Sequence, residues 1–173
     1  MYWPQRSESE AAMSVIYVIY HSDTGKTHAV AKFLAEGAGK VRGAEVKVVA
    51  ADELNLAEAA RADGYAIGSP NYFNYVAGEI KAFFDKVLYD DRFKGKPYAA
   101  FCTHGGGGEV LGVIARLAKA CGLKEVAAGV SSQGMPEEKS IEAARELGKA
   151  LAKAAGQYES VAQPARSSSQ AHR

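Results

Sequence analysis

Ser22, Thr24 and Thr27 bring three hydroxyls together, with Asp23, Gly25 and Lys26 between them, directly after the apolar run Val15-Ile16-Tyr17-Val18-Ile19-Tyr20. The run reads as a buried strand, and a helical pattern begins at about Lys26. A hydroxyl-rich turn between a strand and a helix collects unpaired backbone N–H groups at the positive end of the helix dipole, where an anion is favoured. A phosphate is the natural guest. The triphosphate-binding pattern requires a glycine where Tyr20 stands. It also requires an acidic residue ending a later strand to hold Mg²⁺, and those strands end in Ile67-Gly68-Ser69 and Phe101-Cys102-Thr103. A dinucleotide fingerprint needs three spaced glycines, where this turn has Gly25 alone. The turn suits one terminal phosphate.

Two further loops carry side chains of unusual type. Ser69-Pro70-Asn71-Tyr72-Phe73-Asn74 clusters aromatics with amides. Aromatic rings on a loop offer flat faces to a planar ligand, and Asn71, Asn74 and free backbone N–H groups can meet its polar rim. The alternative is that Tyr72 or Phe73 fills a gap beneath the loop. Thr103-His104-Gly105-Gly106-Gly107-Gly108 follows another apolar run. Its glycines permit positive φ and close backbone approach. His104 either touches the ligand, bonding it or relaying a proton, or bonds a loop carbonyl. A terminal phosphate, a planar ring and polar ring edges together describe FMN.

The elements that must position these loops alternate along the chain. Strand patterns cover 14–20, 45–50, 64–68, 97–103 and 125–130, with helical patterns over 27–37, 54–60, 77–88 and 109–121 and a last helix opening at Pro136. Such alternation with short loops implies an α/β fold: a single-domain, doubly wound, five-stranded parallel sheet of order 2-1-3-4-5. Ligands of these sheets bind outside the carboxyl ends of the strands. The loops after the first, third and fourth strands then converge there. The expected domain is 14–156, flanked by disordered extensions at 1–13 and 157–173, with Met1 and Met13 both open as the start.

With these loops in this order, the chain resembles the flavodoxin family. Ser22-Asp23-Thr24-Gly25-Lys26-Thr27 is similar to that family's phosphate loop. Gly68 through Gly78, with the following Lys81-Ala82-Phe83-Phe84-Asp85, looks like the flavodoxin-like NAD(P)H:quinone oxidoreductases of the tryptophan-repressor-binding-protein type, as does Thr103 through Glu109. The resemblance implies that 22–27 hold the phosphate of FMN, 69–74 wrap its ring system and 103–108 meet the pyrimidine edge. Lys26 departs from the usual uncharged phosphate loop, and either contacts the phosphate or points to solvent. The short stretch from Val130 to Glu137 departs from the quinone reductases, which carry extra sequence there for tetramer formation and ligand binding.

Composition narrows the partners. Lys and Arg total 21 against 20 Asp and Glu, for a net charge of +1, unlike a strongly basic nucleic-acid-binding domain. No apolar run reaches the roughly 20 residues needed to span a bilayer, and no signal-peptide pattern opens the chain. Cys102 and Cys121 lack metal or redox spacing and read as buried, reduced thiols, so a cytoplasmic location is expected. The sequence assigns no catalytic side chain and no metal ligand. Two functions remain open. One is an electron carrier serving a redox partner protein, favoured by compactness. The other is an NAD(P)H-dependent FMN oxidoreductase reducing quinones or similar acceptors, favoured by the loops and the neutral charge. Sequence leaves the oligomeric state open.

Overall fold

The computed structural model describes residues 13–107 and 109–162. Of the expected extensions at 1–13 and 157–173, residues 1–12 and 163–173 lie outside the described residues, as does Gly108. Met13 precedes the first strand as an exposed residue. The elements run β1 (Ser14–Tyr20), α1 (Lys26–Gly39), β2 (Ala44–Ala50), a 3₁₀ turn (Ala51–Glu53), α2 (Leu56–Ala59) and β3 (Gly64–Pro70). After these come α3 (Gly78–Val87), β4 (Pro97–His104), α4 (Val110–Ala120), β5 (Lys124–Glu125), β6 (Val130–Gln133) and α5 (Glu138–Ala162).

All strand pairs are parallel, in the order β2-β1-β3-β4-β5, with β6 also on β4. The expected order is therefore present, with one change at its far edge. The expected strand 125–130 is replaced by two short ones. β5 pairs with Pro97 and Tyr98, and β6 pairs with Phe101 through His104. Gly129 sits at the break, where an added Cβ would lie 2.8 Å from the Ala100 carbonyl oxygen. A glycine in a strand pattern marks such a close backbone approach. The extension of β6 to Gln133 carries this edge up to the ligand end of the sheet.

Strand side chains alternate between two cores. Ile16 and Val18 face Val30, Leu34, Leu147 and Leu151 of α1 and α5. Tyr17 and Ile19 face the other side, with Ile80, Phe83, Phe84 and Val87 of α3 and Val113 and Ile114 of α4. Burial of β-branched side chains on both faces is what a central parallel sheet requires. Helix α1 runs past Gly37 to Gly39, and α5 continues beyond residue 156 to Ala162. No helix among the described residues is long and apolar enough to cross a membrane.

Candidate functional site

At the carboxyl end of the sheet, a cleft of about 400 Å³ opens between the ends of β1, β3, β4 and β6. One wall is the turn into α1. Gly25 takes a left-handed conformation, φ 86°, and its N–H donates to Ser22 Oγ at 3.1 Å. The first-turn residues Lys26 and Thr27 of α1 lie at the cleft, and helix geometry leaves their amides without an intrahelical acceptor. That first turn holds no acidic side chain to neutralise its positive end. Ser22, Asp23, Thr24, Lys26 and Thr27 line the space, whereas Gly25 shapes the turn behind it.

Thr27 is buried, and its hydroxyl lies 2.7 Å from the Thr103 hydroxyl at the end of β4. The pair ties the turn into α1 to the third loop. His104 projects beside it, and its Nδ1 accepts from the Gly107 N–H at 2.9 Å. The neutral ring consequently carries its hydrogen on Nε2. Of the two expected roles, the loop bond is made to an amide instead of a carbonyl, and the ring still lines the cleft. Gly105 lines the cleft, but Gly106 and Gly107 do not. None of these three adopts positive φ, so the expected conformational role of the run is absent from its described residues.

The second loop is a tight hairpin. Tyr72 and Tyr75 exchange N–H···O bonds of 3.0 Å, and Phe73 and Asn74 between them have φ of 57° and 60°. Two consecutive positive φ values define a type I′ turn, usually built with glycine. Asn71 Oδ1 accepts from Asn74 N at 2.8 Å, and Asn71 Nδ2 donates to the Gly107 carbonyl at 3.3 Å, joining the second loop to the third. Pro70, Asn71 and Tyr72 line the cleft. Phe73 is fully exposed at the hairpin tip and Asn74 lies outside the cleft. Ser69 is buried; its hydroxyl donates to the Pro70 carbonyl and accepts from Ala77 N, so it builds the loop instead of facing a ligand.

Electrostatics centre on Asp23. Tyr72 donates its phenol hydrogen to this carboxylate, and His21 Nε2 approaches it at 3.2 Å. These contacts, Tyr72 first, hold the Asp23 carboxyl below the usual carboxylate range. Burial, then the Asp23 bond, pushes the Tyr72 phenol up to about 12, so it stays a donor at neutral pH. Burial likewise raises both thiols, Cys102 and Cys121, which are free and buried.

Four cleft or near-cleft residues escaped sequence reasoning. Gln133 and Gly134 line the cleft from the end of β6. Gln133 Nε2 donates to the Gly105 carbonyl at 3.3 Å, and Gly134 N donates to the His104 carbonyl at 3.0 Å. Ending the fifth strand at Val130 hid them; a strand drawn to Gln133 would have put the next loop at the ligand end. His21 and Glu79 escaped because nothing local couples them.

The arrangement fits FMN by the chemistry of its donors: a helix N-terminus for an anion and a cleft wall carrying Tyr72, Asn71 and His104. Residues 55–133 match the family model described as NADPH-dependent FMN reductase. The chain is 40% identical over 98 residues to a flavodoxin from Aquifex aeolicus (strain VF5), covering 56% of this chain and 53% of that one. The chain thus spans about half the length of that relative. It is 30% identical to an NAD(P)H dehydrogenase (quinone) from Archaeoglobus fulgidus over 188 aligned positions, covering 83% of this chain and 98% of the relative. Among solved structures, a flavodoxin from the domain Archaea superposes with a TM-score of 0.77 at 25% identity, covering 82% of this chain and 98% of that one.

Proposed function

The chain belongs to the flavodoxin-like family of FMN-binding redox proteins, and from that premise we propose that it carries electrons through FMN held in the cleft at the ends of β1, β3 and β4. The observation that carries the reading is the convergence of the three loops on one cleft at the N-terminus of α1. Ser22, Thr24 and the first-turn amides of α1 would hold the phosphate. Asn71, Tyr72, His104 and Gly105 would line the ring system. Gly25, Ser69 and Gly107 act one step back, shaping the loops that do the holding. When bound, the flavin supplies the redox chemistry, and the protein tunes it by ring contacts, hydrogen bonds and local charge.

The carrier reading is favoured over catalysis on a second substrate by the connection from β6 to α5, which is only residues 134–137. The alignment to the quinone dehydrogenase relative is also longer than this whole chain, so that relative holds segments with no counterpart here. NAD(P)H-dependent reduction of quinones is the second reading. It is favoured by the match to a reductase family model and by coverage of nearly all of that relative. Either way the partners are redox partners: another protein in the first case, NAD(P)H and a quinone in the second. Residues 14–156 are proposed as one FMN-binding domain.

Anaerobic stopped-flow mixing of the FMN-loaded protein with NADH or NADPH separates the two. The carrier reading predicts no rapid bleaching of the flavin's visible absorbance by nicotinamide, with reduction by dithionite in separate one-electron steps. Rapid bleaching, reversed by added quinone, would establish the reductase instead.

A further inference from the structure

Asp23 poses an electrostatic problem. It is a carboxylate inside a turn otherwise built for an anion, flanked by Ser22 and Thr24 on the cleft wall. A phosphate held there would stand close to a like charge, which disfavours binding. His21 lies behind it, mostly buried, with both ring nitrogens facing carboxylates: Nε2 is 3.2 Å from Asp23 Oδ1 and Nδ1 is 3.3 Å from Glu79 Oε2. Glu79 comes from the first turn of α3, outside the cleft. Tyr72, from the second loop, meets the His21 ring edge-on at 6.0 Å and donates to the other Asp23 oxygen. These three groups face His21 from its own loop, from α3 and from the β3–α3 loop.

A neutral imidazole has one N–H and can donate to only one of the two carboxylates, leaving a lone pair against the other. An imidazolium donates to both. We propose that His21 is a positioning residue for the phosphate site: its protonated ring, seated between Asp23 and Glu79, offsets the Asp23 charge and holds the Asp23–Tyr72 tie, so that FMN binds more tightly when the ring is charged. Glu79 acts only through His21. The proposal rests on the FMN reading above and adds a pH dependence set by residues that do not touch the cofactor.

The test is FMN titration of the full-length apoprotein by flavin fluorescence quenching, across the range in which histidine changes charge, about pH 5 to 8. Wild type is compared with His21→Gln and Glu79→Gln. The second ionisation of the FMN phosphate is common to all three, so the ratio of dissociation constants is read. Wild type should bind about five- to tenfold more tightly than His21→Gln at the acid end, and the advantage should vanish at the alkaline end. A ratio independent of pH would overturn the proposal and leave His21 a structural residue. Failure of wild type to bind FMN at any pH would instead overturn the FMN reading, and the proposal with it. Should a variant not fold, NMR titration of the His21 ring in wild type decides. By reciprocity of coupled binding, FMN must move the ring's titration to higher pH; no movement overturns the proposal.

Discussion

Thr24 and Thr27 belong to one motif but do different work. Thr24 lines the cleft on the exposed turn, whereas the Thr27 hydroxyl is buried against Thr103. Thr24→Val should weaken FMN binding by about 1–3 kcal/mol, the value of a hydrogen bond to a charged acceptor, with the urea midpoint unchanged. Thr27→Val leaves the Thr103 hydroxyl buried without its partner, and should lower unfolding stability by about 1–3 kcal/mol. Equal effects of the two variants on both measurements would contradict this division. The hydroxyls were legible in the sequence because they crowd one turn. Their division of labour was not, because Thr103 is 76 positions away. The same holds for Asp23: its neighbours Tyr72 and His21 are set by the sheet register that brings the β1 and β3 ends side by side. By sequence Phe73 reads as one of the ring-facing aromatics, but the type I′ turn at Phe73-Asn74 turns its side chain out to solvent. No glycine marks that turn, so its usual signature is missing.

At the scale of elements, the helix whose N-terminus opens onto the cleft is fixed from behind. Helix α1 crosses α5 so closely that a Cβ at Gly148 would lie 2.0 Å from the Leu34 carbonyl oxygen, and one at Gly37 2.0 Å from the Arg145 carbonyl oxygen. Both neighbours are backbone and cannot swing aside. Gly148→Ala should therefore force the helices apart and destabilise the fold by about 1–3 kcal/mol, read as a lower urea midpoint. An unchanged midpoint would mean that the crossing is slack. Gly37 resembles a helix stop in the sequence, yet it sits inside α1 as the counterpart of Gly148. A glycine's role as a stop or as a contact depends on a partner helix that local pattern does not show. The strands β1, β3 and β4 were legible because both their faces are buried and their apolar runs are continuous. The break between β5 and β6 was not, because the close approach of Gly129 to the Ala100 carbonyl joins positions far apart in the chain.

Across the whole molecule, one topology explains why loops distant in sequence meet. Parallel strands in the order β2-β1-β3-β4 put the ends of β1, β3 and β4 side by side, and β6 adds a fourth contribution through Gln133 and Gly134. The alternation of strand and helix made that order readable, and with it three of the four walls of the cleft. The near balance of charge, a net +1, gives no long-range steering toward a strongly charged partner. The account as a whole depends on a terminal phosphate being held at the N-terminus of α1, and comparing FMN with riboflavin tests this directly. Titrated into the apoprotein under one buffer, FMN should quench with a dissociation constant at least tenfold below that of riboflavin, a margin narrowed in Thr24→Val. Equal affinity for the two flavins would show that the Ser22–Thr27 turn holds no phosphate and would contradict the central claim.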